Sequence, residues 1–348
     1  MTRGYRRGRV ADVGSGAAAL WLAFFDSISD QDRPGPETAG EIRTVFERSA
    51  YLELAFADGA EYPGQGPPLV LLSGEGIEGP LVTQVSFRNR PFRGGDLDTG
   101  MRCRVYPSLE SADDTYILAL GKQLEVTIAP ETLSTDQPAQ LGHIAQVCRN
   151  GPVWTRSIET LQYLDQTDHE DGLDVIPLVL AATRGESLPA PWDELVQTWR
   201  AVVSGSETGE FDGSWLGLLG RGPGATPSGD DIVAGMLLAL LRGTDGKVHQ
   251  RIREASDLVV AEASDRTTAV STALLAQAAQ GRSSPNIDRA LSWLFTGIPD
   301  ECTVESVVDE LASIGHSSGI DTLVGMLIAI ILIGPAADES EPPQGCSR

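Results

Sequence analysis

The sequence is poor in lysine, in cysteine and in long apolar runs. Only Lys122 and Lys247 are lysines, and all other basic residues are arginines. The four cysteines lie far apart and form no C-x-x-C pair, so neither a zinc site nor a disulfide framework is indicated, and a reducing cytoplasm is expected. No apolar run reaches the roughly 18 residues of a membrane-spanning helix, so no membrane partner is expected.

Positive charge is scarce as well. The chain has 26 basic and 49 acidic residues, which gives a formal net charge of −23. A surface of this charge repels nucleic acid and anionic lipid, so neither is expected as a partner. A chain adapted to high salt has such a surface, although a GC-rich genome also replaces lysine by arginine, and both alternatives stay open.

The N-terminal region resembles a signal peptide in one respect. Several arginines precede the apolar run GAAALWLAFF. However, Asp12 interrupts the pattern, and the DSISDQD that follows offers no small-residue cleavage site. The run is therefore predicted to form a buried amphipathic helix.

The sequence pattern changes from β-rich to helical near Pro138. Short β-rich runs between about residues 51 and 130, separated by Gly, Pro and Asp, predict a small antiparallel sheet or barrel, whereas residues 30–40 read as a loop. Helical patterns follow. The predicted domains are 1–135, β-rich with an N-terminal helix, and 139–335, helical, before a disordered tail at 336–348. Helices are predicted at 139–149, 156–165, 174–184, 192–204, 247–263, 266–280, 286–296 and 304–314, besides two apolar runs.

Those two apolar runs resemble each other. SGDDIVAGMLLAL at 228–240 aligns with SGIDTLVGMLIAI at 318–330 at a constant offset of 90 residues. Glycine inside a helix is unfavourable unless another backbone passes close by, so the two helices are predicted to cross at Gly235 and Gly325. The predicted fold class is therefore α+β, with a small β-rich N-terminal domain and a mainly helical C-terminal domain that contains a pseudo-twofold repeat of loop-plus-buried-helix units.

Such a packing places two helix N-termini at one end, where free N–H groups and the helix dipoles favour an anion. The loop GRGPGATPSGDD before the first run carries more polar residues than helix capping needs, which favours a functional site over capping alone. It is neither a Walker loop nor a dinucleotide fingerprint. Asp230 and Asp231 either bind Mg²⁺ that bridges a phosphate or offset the helix dipole and orient neighbouring donors.

Two further residues are candidates for the same site. His316, in GHSSG, stands where Thr226 stands in the first copy, and a neutral imidazole there can donate to a polarised carbonyl; the alternative is a structural histidine. Arg266, in SDRTTAVS, is predicted to start a helix and to clamp a carboxylate or phosphate; the alternative is a surface arginine.

The order G-x-T-P-S-G-D-D, then R-T-T-x-x-S, then G-H-x-S-G-x-D resembles the AllH-type family over about 215–333. Ala225 and Ser317 depart from the leucine and threonine expected there. The resemblance marks Gly222, Gly224, Thr226, Pro227, Ser228, Gly229, Asp230, Asp231, Arg266, Thr267, Thr268, Ser271, Gly315, His316, Ser318, Gly319 and Asp321.

The resemblance implies a subunit of oxamate carbamoyltransferase in purine (allantoin) degradation, beside an FdrA-like subunit and a third protein. A non-catalytic subunit that binds an anionic metabolite or scaffolds its neighbours is the alternative. We assign catalysis to His316, Ser318 and Asp231, and predict no resident metal or cofactor, with Mg²⁺ as the alternative. The predicted substrate- and phosphate-binding residues are Gly224, Thr226, Ser228, Gly229, Asp230, Arg266, Thr267, Thr268, Ser317, Gly319 and Asp321.

Overall fold

The computed structural model describes residues 6–29, 37–56, 66–74, 77–87, 92, 97–108, 115–121, 124–135, 138–142, 144, 151–167, 172–206, 213–298 and 302–334. The chain divides into two compact units, Met1–Gln137 and Pro138–Arg348. Within the ranges described, no helix combines the length and the apolar character needed to cross a bilayer. The predicted tail at 336–348 lies outside the described residues.

The first unit contains a closed barrel of eight strands in the order β1–β5–β4–β3–β2–β6–β7–β8. The barrel closes where β8 pairs with β1 in parallel. The β4–β5 pair is parallel too, and the other pairs are antiparallel. The strands are β1 Arg6–Val13, β2 Glu37–Val45, β3 Ser49–Leu54, β4 Leu69–Ser73, β5 Val82–Phe87, β6 Arg102–Pro107, β7 Tyr116–Leu120 and β8 Leu124–Ile128.

The strands β1 and β2 were not predicted, and the barrel cannot close without them. Both are rich in charge and contain glycine, because an exposed barrel face needs no apolar side chains. Residues 37–40 of the predicted loop begin β2, whereas 30–36 lie outside the described residues. A Cβ at Gly40 would lie 1.9 Å from the Glu53 carbonyl oxygen, so the irregular register of β2 requires glycine there.

The apolar N-terminal run forms the helix α1, Ser15–Ser29, as predicted. Its aromatic side chains are buried in the first unit. Trp21 donates from Nε1 to Thr83 Oγ1 at 2.9 Å, which satisfies its buried polar atom. Phe25 stacks on Tyr116 with ring centroids 4.1 Å apart.

The second unit is helical. The predicted helix at 139–149 is absent from 139–142 and 144, which form no α-helix; the remaining residues of that prediction lie outside the described chain. A 3₁₀ turn at Ser214–Leu218 precedes α5, and a π-helical turn at Ala329–Ile333 follows α10. The helices are α2 Pro152–Gln166, α3 Ile176–Thr183, α4 Trp192–Ser204, α5 Ser228–Arg242, α6 Gly246–Arg266, α7 Ala269–Ala278, α8 Pro285–Thr296, α9 Val304–Ala312 and α10 Ser318–Ile328.

The helices α5 and α10 form the centre of this unit and are buried on nearly all sides. They touch at the two glycines named in the sequence. A Cβ on Gly235 would lie 1.9 Å from the Thr322 carbonyl oxygen, and one on Gly325 would lie 1.9 Å from the Ile232 carbonyl oxygen. Only glycine permits this approach, which brings the backbones of the two helices into contact.

The predicted fold class is nevertheless wrong. The molecule is mixed α/β with a closed barrel, and its helical unit is not a pseudo-twofold repeat. α5 follows a 3₁₀ turn and leads into the 21-residue α6, whereas α10 follows α9 and leads into a π-helical turn. The shared letters have a local cause: two helices that touch backbone to backbone both need glycine at the contact and small residues at the start.

Candidate functional site

The N-termini of α5 and α10 meet through their hydroxyl side chains. Thr226 Oγ1 lies 3.0 Å from Ser318 Oγ, and Ser228 Oγ lies 3.5 Å from Ser317 Oγ. We call these four side chains the hydroxyl cluster. Ser228 is buried, while Thr226, Ser317 and Ser318 are partly exposed. Residues about 90 positions apart thus face one another, as the alignment of the two runs predicted.

The hydroxyl cluster does not cap the two helices. The residue before α5 is Pro227 and the residue before α10 is Ser317, and neither forms a side-chain capping bond. Serine and threonine at helix starts usually accept from a backbone N–H of the first turn. Here they point toward the opposite helix, so their hydroxyls are available for something other than local capping.

The Asp231 carboxyl lies next to the hydroxyl cluster. Its side chain is 8% exposed, and burial raises its pKa to about 8, with hydrogen bonding to Ser318 and Thr226 opposing that rise and the charges of Asp321 and Asp230 adding to it. Its Oδ2 atom has no hydrogen-bond partner among the described residues. At neutral pH the carboxyl is therefore largely protonated and does not repel an anion.

Asp230 organises the loop instead. Its Oδ1 accepts the Gly220 N–H at 2.8 Å. Its Oδ2 accepts from Thr267 Oγ1, and from Ser271 Oγ at 2.7 Å. Burial raises the pKa of Asp230, and hydrogen bonds from Thr267, Ser271 and Gly220 oppose the rise. Asp230 and Thr267 were both predicted to bind substrate. Their side-chain oxygens instead form hydrogen bonds that hold the loop to α7.

Thr268 is the N-cap of α7. Its Oγ1 accepts the Ser271 N–H at 3.0 Å and donates to the Ala225 carbonyl. One side chain therefore both starts a helix and anchors the loop that carries Thr226. Arg266 was predicted to start this helix, but it is the last residue of α6, because the capping Thr268 sets the start of α7 at Ala269, three residues later.

Replacing Thr268 by alanine is expected to lower the free energy of unfolding by about 2 kcal/mol, because a cap and a loop anchor are lost together. Thr303→Ala is the matched control, since Thr303 caps α9 through the Ser306 N–H and is exposed. That variant should lose about 1 kcal/mol. Chemical unfolding of both variants measures the difference, and equal losses would show that the Ala225 contact contributes nothing.

The glycines of the two S-G pairs serve packing. The Gly229 N–H donates to the Arg221 carbonyl at 2.9 Å, and the Gly319 N–H donates to the Ile314 carbonyl at 3.2 Å. Both amides were predicted to hold substrate, yet both are already engaged. Gly224 is exposed with φ +98°, and a Cβ there would meet nothing within 4 Å, so its surroundings are open.

The two predicted charged contacts differ from each other. Arg266 pairs with Glu262, with Nη2 3.0 Å from Oε2, on the exposed side of α6. His316 lies in the turn before α10, is exposed, and forms no side-chain hydrogen bond to any described residue. His316 is thus available in the turn next to Ser317, whereas Arg266 is occupied.

A third segment reaches the site, and the sequence did not reveal it. The Gly172 N–H donates to Asp321 Oδ1 at 2.8 Å, and a Cβ on Gly172 would lie 1.9 Å from Ser228 Oγ. Gly172 therefore presses on the hydroxyl cluster from the loop before α3. The only signal was an Asp-Gly dipeptide, which predicts a turn and says nothing about its neighbours.

Among the described residues, no three His, Cys, Asp or Glu side chains are arranged to hold a metal ion. Asp230, one of the two carboxylates considered for Mg²⁺, already uses both oxygens for hydrogen bonds. The described side chains of this site include hydroxyl groups, a buried carboxyl and an exposed imidazole.

Most residues of this site lie within a segment that matches a known protein family. Residues 218–330 match the family model described as oxamate carbamoyltransferase subunit AllH. This segment is similar to the AllH family. The recognition drawn from the three motifs is thereby confirmed for the segment that contains them. The AllH segment runs from the 3₁₀ turn before α5 to the π-helical turn after α10, and so includes the whole hydroxyl cluster. No solved structure matches the chain.

Proposed function

We propose that this chain is a subunit of an oxamate carbamoyltransferase and that the hydroxyl cluster binds one of its anionic substrates. The family description names a subunit of this enzyme. The observation that supports a site here is the meeting of two helix N-termini through four hydroxyls that cap neither helix. Helix N-termini and hydroxyl donors favour a phosphate or a carboxylate.

The proposed reaction moves a carbamoyl group between carbamoyl phosphate and the amide nitrogen of oxamate, which becomes oxalurate when it carries the group. The nitrogen attacks the carbamoyl carbon, the bond from that carbon to the phosphate oxygen breaks, and the proton lost by nitrogen leaves with phosphate. Holding both anions in reacting geometry and polarising the carbamoyl oxygen are what this chemistry needs from a protein.

Each residue then has a stated role. Thr226 and Ser228 hold phosphate oxygens, and Ser318 with His316 donates to the carbamoyl oxygen or the oxamate carboxylate. Asp231, whose carboxyl is largely protonated at neutral pH, keeps its two hydroxyl neighbours oriented. Arg266 is left out because its guanidinium pairs with Glu262. Gly229 and Gly319 are left out because their amides are engaged.

The proposal extends to the surroundings of the chain. An FdrA-like subunit and a third protein would complete the enzyme, in the cytoplasm, within purine (allantoin) catabolism. Such a heteromeric arrangement agrees with the small number of free charged groups that the described residues place at the hydroxyl cluster, since a partner subunit can supply the cation that neutralises a substrate.

Removing single hydroxyls tests the proposal. In a complex reconstituted with its partner subunits, Ser228→Ala and Ser318→Ala are each expected to lower carbamoyl transfer by about tenfold to a hundredfold, the usual cost of losing one donor to a developing charge. Ser313→Ala is the matched control, because Ser313 is exposed and its hydroxyl donates to the Glu310 carbonyl. Unchanged turnover in both site variants would refute the assigned roles.

Binding to the isolated chain separates catalysis from scaffolding. Calorimetric titration with carbamoyl phosphate should give binding that weakens in Ser228→Ala. If the chain binds carbamoyl phosphate but the variants leave turnover of the complex unchanged, the chain is an anion-binding subunit without a catalytic role. If neither binding nor turnover responds, the hydroxyl cluster is not the substrate site.

A further inference from the structure

The loop between α7 and α8 contains a buried arginine that has no counter-ion among the described residues. Arg282 is 9% exposed. Its Nη1 donates to Gln280 Oε1 at 2.7 Å, but its Nε has no acceptor among the described residues. Burying a cation is unfavourable unless it is paired and hydrogen-bonded, so this arrangement calls for an anionic partner.

A second arginine increases the need for an anion. Arg253 of α6 is partly buried and pairs with no carboxylate in the described part of the chain. Burial lowers the pKa of Arg282, and the positive charge of Arg253 lowers it further. The two guanidinium groups repel each other, although the chain as a whole has a net charge of −23. A bound anion would reduce this repulsion.

An unpartnered acceptor belongs to Gln277, whose backbone contacts that of Arg282. Gln277 is 7% exposed, and its Oε1 has no hydrogen-bond donor among the described residues. Its backbone carbonyl accepts the Arg282 N–H at 3.0 Å, which places the two residues side by side. Within the described chain, Arg253 and Arg282 therefore lack a negative oxygen and Gln277 lacks a donor.

One chemical class supplies both. A hydrogen phosphate ion has oxygens that accept from guanidinium groups and an O–H that donates to an amide oxygen. Sulfate and carboxylates at neutral pH accept but do not donate. We infer that Arg253, Gln277 and Arg282 form a binding site for phosphate or a phosphate monoester that retains a proton.

This phosphate site is separate from the hydroxyl cluster. Arg242, the last residue of α5, donates from Nη1 to the Gly281 carbonyl at 3.4 Å, so the loop with Arg282 lies at the C-terminal end of α5. The hydroxyl cluster lies at its N-terminal end. Fourteen residues at 1.5 Å each separate these ends by roughly 20 Å. The inference therefore stands whether or not the chain is a carbamoyltransferase subunit.

The experiment is a calorimetric titration of the full chain with inorganic phosphate, carried out in a Ser228→Ala, Ser318→Ala background so that the hydroxyl cluster contributes as little as possible. Arg253→Gln is expected to weaken phosphate binding about tenfold or more, the cost of one charge-assisted contact. Arg184→Gln is the matched control, since Arg184 is exposed and pairs with Glu186. Sulfate should bind more weakly than phosphate.

A stability measurement keeps the test decisive if one variant binds poorly for structural reasons. Arg282→Met removes the buried charge, so it should melt at a higher temperature than its parent in phosphate-free buffer and gain nothing from added phosphate. Phosphate binding that is equal in parent, Arg253→Gln and Arg282→Met would overturn the inference. So would equal weakening by Arg253→Gln and Arg184→Gln, which would reveal only a general charge effect.

Discussion

Replacing Gly235 by alanine is expected to lower the free energy of unfolding of the helical unit by at least about 3 kcal/mol. The added Cβ would lie 1.9 Å from the Thr322 carbonyl oxygen, well inside contact distance. Neither atom belongs to a side chain that can rotate away, so the two central helices must move apart. Alanine favours an isolated helix by about 1 kcal/mol over glycine, and the expected loss exceeds that gain.

Gly325→Ala is expected to have a similar effect, because its Cβ would lie 1.9 Å from the Ile232 carbonyl oxygen. The two substitutions press on the same helix pair from opposite sides. Once one substitution has separated the helices, the second causes a smaller further loss in the free energy of unfolding. The double variant should therefore lose clearly less than the sum of the single losses, as expected for sites that share one contact.

Gly217→Ala provides the control. Gly217 lies in the 3₁₀ turn before α5, and a Cβ there would meet nothing within 4 Å. That substitution should change stability by less than about 0.5 kcal/mol. Thermal and chemical unfolding of the four variants measures the series, in which each kcal/mol lowers the melting temperature by roughly 2–4 °C. A Gly235→Ala protein as stable as Gly217→Ala would show that the helices do not touch at this point.

The close contact of α5 and α10 was predictable because glycine at matching places in two apolar helices has few other causes. The meeting of Thr226 with Ser318 followed from the same alignment. The prediction of a pseudo-twofold fold was wrong, because the two runs resemble each other only over the residues that form the α5–α10 contact. Sequence similarity between two helices reports that they face the same neighbours, and not that the elements around them correspond.

In the barrel, some strands could be predicted from the sequence and others could not. Strands β3 to β8 alternate or cluster apolar residues and were recognisable. β1 and β2 were not, because their outward faces are charged and each forms hydrogen bonds to strands far away in sequence: β1 to β5 and β8, and β2 to β6 besides its neighbour β3. The role of Gly172 at the site was not predicted for a related reason: its N–H donates to Asp321, which lies 149 positions away in sequence. Contacts of this kind leave no periodic trace in the chain.

The roles of the polar residues in the loop divided in a way that residue type alone did not reveal. Asp230 and Asp231 are adjacent and identical, yet one accepts three hydrogen bonds and the other has an oxygen with no partner in the described chain. Helix geometry explains this, since neighbouring residues on a helix point about 100° apart. Asp230 therefore faces α7, and Asp231 faces α10.

The difference predicts how Asp231 affects stability as the pH changes. Burial raises its pKa from 3.8 to about 8 in the folded chain, with Asp321 and Asp230 contributing to the rise. Between these two pH values the folded state holds a proton that the unfolded state has released. Stability must therefore fall as the pH rises from about 4 to about 8, at up to roughly 1 kcal/mol per pH unit from this group, and level off above that.

Asp231→Asn removes the titration while keeping the shape of the side chain. The variant should lose less stability than the parent between pH 5 and pH 8, and at pH 8 it should be the more stable of the two. Asp265→Asn, at an exposed position on α6, is the control and should leave the pH dependence as it is in the parent. Urea unfolding at one-unit steps gives the slopes. Parallel curves for the parent and Asp231→Asn would mean that Asp231 is ionised in the folded chain, and a negative charge would then stand where the proposed function needs an anion to bind.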